Sequence, residues 1–183
     1  MEFRMAGLKR EIAQERPFSS MEEEAVLNML RTADCLNRNF QHRTREWGVT
    51  GTQYNVLRIL RGAAPQGLTC SAIGDRMIAS DPDITRLLAR LKALKLVRQQ
   101  RDRRDRRVVW TQISDAGQEL LRQMDPLILE MPKQLLGHLT ENELIELVRL
   151  AELARAKCGD AHGAVSCEGK KDSAEGSCAI GAA

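Results

Sequence analysis

The sequence predicts a mainly α-helical fold: a helix-turn-helix lobe with a two-stranded wing, flanked by long helices at the N- and C-terminal ends. Three observations predict it. Aromatics are only 3% of the 183 residues while hydrophobic residues are 43%, so the core must be Leu, Ile, Val, Met and Ala, a helix-favouring set. Apolar residues recur at three- and four-residue steps behind serine and threonine caps. One segment breaks that rhythm. Arg98 to Ile113 places six arginines and two aspartates ahead of an alternating, β-branched run, which reads as a basic hairpin.

The elements follow in order. Residues 1–19 are expected to form a loosely ordered arm. Ser20-Met21-Glu22-Glu23 has capping-box spacing and opens a helix carrying Val26, Met29, Leu30, Ala33, Leu36 and Phe40, ending near Trp47-Gly48. Thr50-Gly51-Thr52-Gln53 is a second box, starting a helix with Tyr54, Leu57 and Leu60 on one face, stopped by Gly62 and Pro65. Thr69 caps a short helix carrying Ile73 and Met77. Ser80-Asp81-Pro82 supplies a cap and a first-turn proline for the next, which carries Ile84, Leu87, Leu88, Leu91 and Leu94. So short a turn between two helices is helix-turn-helix spacing.

The hairpin comes next and returns through Val108-Val109-Trp110-Thr111. Ser114 then caps a long helix in which Pro126 and Pro132 predict a kink or short break. Thr140-Glu141-Asn142-Glu143 is a third box, opening a last helix with Leu144, Leu147 and Val148. Beyond residue 158 periodicity stops, and Gly, Ala and Ser fill 14 of the 25 remaining positions, so 159–183 is expected to be a disordered tail. One domain is therefore expected over 20–158. Its nucleic-acid lobe covers about 50–113, and dimerisation helices cover about 20–47 and 114–158. The apolar stripes of those terminal helices exceed what one small lobe can cover, which predicts a homodimer.

Charge is concentrated. Residues 84–112 hold ten Lys/Arg against two Asp/Glu, a net +8, whereas the remainder holds 18 against 23, a net −5. The chain is a basic probe on a mildly acidic body, as expected of a partner for double-stranded DNA. No apolar run reaches the ~18–20 residues that span a bilayer. The N-terminus has no signal-peptide pattern, so a cytoplasmic protein without a membrane partner is expected. The five cysteines form no CxxC pair and the three histidines no zinc spacing, so no metal or cofactor is expected. With no nucleophile–base pair or phosphate loop, an enzyme is not expected.

Several motifs now coincide. Asp83-Ile84-Thr85-Arg86-Leu87-Leu88-Ala89-Arg90-Leu91 is followed by Leu96-Val97-Arg98, then Asp105-Arg106-Arg107, then Ile113-Ser114-Asp115-Ala116-Gly117 and Leu139-Thr140-Glu141-Asn142-Glu143-Leu144. In order and spacing they resemble the recognition helix, wing signature and C-terminal helices of the MarR family of bacterial transcriptional regulators. The resemblance covers roughly residues 22–156. Two positions depart from it: Ile78 stands in the turn where many members have glycine, and Lys95 where glycine often precedes Leu-Val.

The resemblance and the groove chemistry together assign roles. Ser80, Asp83, Arg86 and Arg90 lie on the outer face of the recognition helix. Arg86 is the expected base reader, since a guanidinium matches guanine O6 and N7; the simpler alternative is a surface pair with Asp83. Thr85 is expected against a phosphate or a thymine methyl. In the wing, Arg101, Arg103 and Arg104 are expected on phosphates, with Arg106 beside them. The resemblance gives Arg107 the minor groove and makes Asp105 its buttress. It also implies that a small aromatic effector binds near Phe40, His42, Trp47 and Tyr54, against the plainer reading of core aromatics and a solvated histidine. Cys35 lies where some relatives carry a peroxide-sensing thiol, which Arg31 and Arg38 would activate; a buried structural cysteine is the plainer reading.

The function expected is a homodimeric regulator on a palindromic operator, a repressor responsive to a ligand or oxidant. A winged-helix module for protein or RNA is the alternative.

Overall fold

The computed structural model describes residues 7–79 and 83–158, which fall into two compact units meeting between Leu136 and Gly137. Among the described residues, the order is α1 (Leu8–Glu11), α2 (Met21–Arg45), α3 (Gly51–Gly62), α4 (Cys70–Gly74), α5 (Ile84–Ala93), β1 (Val97–Arg101), β2 (Val109–Ile113), α6 (Asp115–Leu136) and α7 (Glu141–Ala156). The mainly helical, winged architecture expected from sequence is present.

Local hydrogen bonds set the helix starts. Thr50 and Thr140 each accept the backbone N–H three residues on, and Gln53 and Glu143 bond back to the cap's own N–H, which makes two reciprocal boxes. At α2 the box is offset: Ser20 Oγ accepts the Glu23 N–H, but the Glu23 carboxylate takes the N–H of Ser19. The expected loose arm contains a helical turn, α1, because Leu8 finds a buried site.

The turn into α5 differs from expectation. Ser80-Asp81-Pro82 lies outside the described residues, and the helix is capped by Asp83, whose carboxylate accepts the Arg86 N–H at 2.9 Å. At the other end, Leu96 N–H bonds Leu91 O and Lys95 N–H bonds Lys92 O, the paired bonds of a Schellman motif. Lys95 takes φ +61°, so this lysine occupies a left-handed position that glycine usually fills.

The core of the first unit is aliphatic. Val56, Leu57 and Leu60 of α3, Ile73 of α4, Leu88 and Leu91 of α5, and Leu121 and Met124 of α6 are fully or almost fully buried together. The N-terminal half of α6 thus packs with the helix-turn-helix, and residue 113 is not a packing boundary. Arg61 of α3 reinforces this with a two-pronged ion pair to Asp125 of α6, at 2.6 and 3.1 Å. Of the kink or short break expected in α6, the break does not occur; the helix runs from Asp115 to Leu136 through Pro126 and Pro132. Each proline removes one backbone N–H, and Pro126 lies between the buried Met124 and Ile128.

The wing is antiparallel with Val97 opposite Ile113 and Gln100 opposite Trp110. Its inner face, Val97, Thr111 and Ile113, is buried. A third segment pins its base: Leu68 and Thr111 exchange backbone bonds of 2.9 and 2.8 Å, and Gln112 Nε2 donates to Pro65 O at 2.8 Å. Gly67 makes that approach possible, since it sits at φ +78° and a Cβ there would lie 2.4 Å from Thr111 O.

The second unit is α7, in which no residue is buried; Ile145, Leu147, Val148, Leu150 and Leu153 are all exposed.

Candidate nucleic-acid interface

The basic surface has two parts. On α5 the inward face carries Leu87, Leu88 and Leu91, which leaves Thr85, Arg86 and Arg90 exposed on the outward face. Cys70 Sγ lies 4.0 Å from Thr85 Oγ1, so the threonine stands at the seam between α4 and α5. Asp83 Oδ1 accepts the Arg86 backbone N–H and so caps the helix at the start of this face. Ser80 lies outside the described residues.

The second part is the wing tip, built as a repeat. Asp102 Oδ1 accepts the N–H of Arg104 at 2.7 Å and of Asp105 at 3.1 Å. Asp105 Oδ1 then accepts the N–H of Arg107 at 2.9 Å. Each aspartate closes a turn on the residue two places later, the Asx geometry that three-residue spacing permits. Both carboxylates are drawn toward the backbone while the arginines around them point outward. Arg107 is almost fully exposed, with its Nε 3.9 Å from Asp105. Among the described residues, Arg90, Arg101, Arg103, Arg104 and Arg106 have no carboxylate within ion-pair distance. Arg98, at the wing base, pairs with Asp115 at 3.3 Å.

Asp102 was legible in sequence only as one of two aspartates, yet it has the most partners at the tip. Its Oδ2 also accepts the indole Nε1–H of Trp110 at 3.0 Å. The N–H groups of Asp105 and Arg104, with the indole N–H, hold its carboxyl below the ordinary aspartate value of 3.8. The Asp-x-Arg repeat was the available signal. The tryptophan eight residues on could be paired with it only once the strand register was known.

Three of the expected effector residues, Phe40, Trp47 and Tyr54, lie together against the core. Phe40 and Tyr54 stack edge-to-face at 5.5 Å; Tyr54 is buried, and burial pushes its phenol up. Trp47 is half-buried against the same core, with its indole nitrogen enclosed and without a hydrogen-bond partner among the described residues. These three pack as core aromatics. His42 is exposed, 4.0 Å from Glu46 on its own helix. Among the described residues, one cavity of about 230 Å³ lies beside Arg98 and Pro65, another of about 440 Å³ on the outer wing face around Trp110.

Cys35 corrects the plainer reading, since it is exposed on α2 rather than buried. The activating arginines are engaged elsewhere, Arg38 with Asp34 at 3.0 Å and Arg31 with Glu11 at 3.7 Å. Among the described residues, no His, Cys, Asp and Glu group suits a metal ion, and no helix is long and apolar enough to cross a membrane.

A short helix, a turn, an exposed basic helix and an arginine-tipped hairpin define a winged helix-turn-helix protein. A model of the MarR family matches residues 47–108. The solved structure of a MarR transcription factor from Planctomyces limnophilus is 38% identical over 75% of this chain and 99% of its own, with a TM-score of 0.59. The chain therefore belongs to the MarR family of transcription regulators. The fold is shared more widely. Staphylococcus aureus MepR, solved in a DNA complex, is 20% identical over 72% of this chain and 96% of its own (TM-score 0.63). Bordetella bronchiseptica BpsR, solved in connection with regulation of its DNA binding by 6-hydroxynicotinic acid, is 22% identical over 76% and 97% (TM-score 0.66). No curated protein matches the chain.

Proposed function

We propose that this transcription regulator binds duplex DNA as a homodimer and acts as a repressor on a near-palindromic operator. The observation that carries the reading is the tip repeat, in which both aspartates close backbone turns and the arginines are left exposed. One opposite pair lies along the run, Arg107 with Asp105 at 3.9 Å; otherwise the carboxylates shape the loop, and the surface left over is cationic. In this reading Arg86 addresses a base edge, Arg101, Arg103, Arg104 and Arg106 address phosphates, Arg107 enters a minor groove, and Asp105 holds it there. The exposed stripe of α7, with Val26, Met29 and Leu30 of α2, supplies apolar surface for a second copy. Two recognition helices then enter successive major grooves, with half-site centres ~10–11 base pairs apart.

The test is affinity for the region upstream of the protein's own gene and for a scrambled duplex, each over a range of salt. Arg86→Ala should lose about 1–3 kcal/mol on the specific duplex only. Arg104→Ala should weaken both duplexes alike and reduce the salt slope by about one unit. Arg107→Ala should lose most where flanks are A·T-rich. Equal losses on both duplexes for Arg86→Ala would remove it as a reader. Release of the operator by an aromatic ligand or by oxidation at Cys35 belongs to the same proposal, and titration of the DNA complex with each agent checks it.

A further inference from the structure

The wing tip contains a bond that its arginine content does not explain. Trp110 lies on the outer face of β2, opposite Gln100, where wings need only a solvent-tolerant residue. It is nonetheless half-buried, and its indole N–H is spent on Asp102 Oδ2 at 3.0 Å. The other oxygen of that carboxylate organises Arg104 and Asp105, and the Asp105 carboxylate in turn organises Arg107. The bonds therefore run in series: indole, first aspartate, second aspartate, final arginine. Asp102 N–H to Val108 O and Val108 N–H to Asp105 O close the loop from its other side. The carboxylate alone can fold the turn, but it can also rotate with it. A ring anchored in a strand removes that rotation.

We propose that Trp110 is a positioning residue for shape reading, holding Asp102 so that Arg107 is presented to a narrow minor groove in one orientation. The role rests on the DNA-binding function proposed above. The chemistry makes two demands. Trp110→Phe removes the N–H but keeps a ring. Asp102→Asn can keep an acceptor toward the two backbone N–H groups, but then turns an NH2 toward the indole N–H, donor against donor. Removing the indole should relieve that conflict, so the double variant should bind better than Asp102→Asn alone. A merely structural loss at either position would add rather than recover.

The experiment uses the full chain and three variants: Trp110→Phe, Asp102→Asn and the double. Affinity is measured on operator duplexes with A·T-rich and G·C-rich flanks across salt, and amide exchange at Arg104 and Asp105 is followed by NMR in the free protein. Trp110→Phe should speed exchange and cut the A·T-flank preference roughly three- to tenfold, with the salt slope unchanged because every arginine remains. Asp102→Asn should lose more, and the double variant should recover part of it. Unchanged exchange and flank preference in Trp110→Phe would overturn the proposal, as would simple addition in the double variant. A wild-type chain without any flank preference would remove the DNA reading of the wing and this role with it. Exchange that changes while the preference persists would instead leave the DNA reading standing and remove the positioning role alone.

Discussion

At Lys95 a single backbone angle carries a stability difference. A non-glycine residue in the left-handed region costs about 1–2 kcal/mol, while glycine costs about 0.5–1 kcal/mol in lost chain entropy. With φ at +61°, Lys95→Gly should therefore stabilise the protein by about 0.5–1 kcal/mol, read as a higher urea midpoint at constant slope. The Leu91 and Leu96 side chains, both buried on either side of the cap, explain why a lysine is tolerated: the Schellman bonds bring the two into the same core. Gly67 poses the opposite case. Its φ of +78° and the 2.4 Å approach of Thr111 O leave no room for a methyl. Gly67→Ala should cost about 2 kcal/mol or more and loosen the wing base before the rest of the lobe. Exchange of the Leu68 and Thr111 amides checks it; unchanged protection would mean that the bridge does not anchor the wing.

Among the elements, the wing has a tip whose turns close on ionised carboxylates. Asp102 has a lowered folded value, so its contribution is fully present above its unfolded value near 3.8 and is lost as pH falls through the lower folded value. The tip should hold one form from about pH 5 upward and open only in stronger acid. Amide shifts of Arg104 and Asp105, followed from neutral pH downward, would show a transition below 3.8, and a midpoint above that value would contradict the bonding. The helix caps were legible because a cap is a contact over three residues, written in adjacent letters. Asp83 caps α5 for the same local reason, having a carboxylate three residues before Arg86. The wing's fastenings were not legible. Gln112 to Pro65 spans 47 residues and Asp102 to Trp110 depends on strand register, so neither has a local signature. Cys35 failed differently: the usual burial of free cysteine does not say whether anything in the same chain covers this position.

At the scale of the whole molecule, the unpartnered apolar surface is the main fact. A 16-residue α7 with no buried side chain lacks the packed apolar face from which most helices in proteins draw their stability. On the dimer reading its leucines are covered by a second copy. Leu150→Glu in full-length protein would then remove two leucine contacts per dimer, one from each copy. At about 1.5–3 kcal/mol for each buried leucine, the dimer dissociation constant should rise about a hundredfold or more. Sedimentation velocity at micromolar concentration reads the shift, and the aliphatic core of the first unit should keep its helical signal. A full-length wild-type chain that sediments as a monomer would end the reading.

The stapling of the wing base has a consequence for how such a protein meets a duplex. Leu68–Thr111 and Gln112–Pro65 join the hairpin to the loop between α3 and α4, so wing and helix-turn-helix behave as the two jaws of a caliper with a fixed gap. A caliper does not adjust to the workpiece. On the DNA-binding reading, any mismatch between jaw gap and groove spacing is taken up by the duplex. Operators would then be ranked partly by how cheaply they deform, at base steps that no side chain touches.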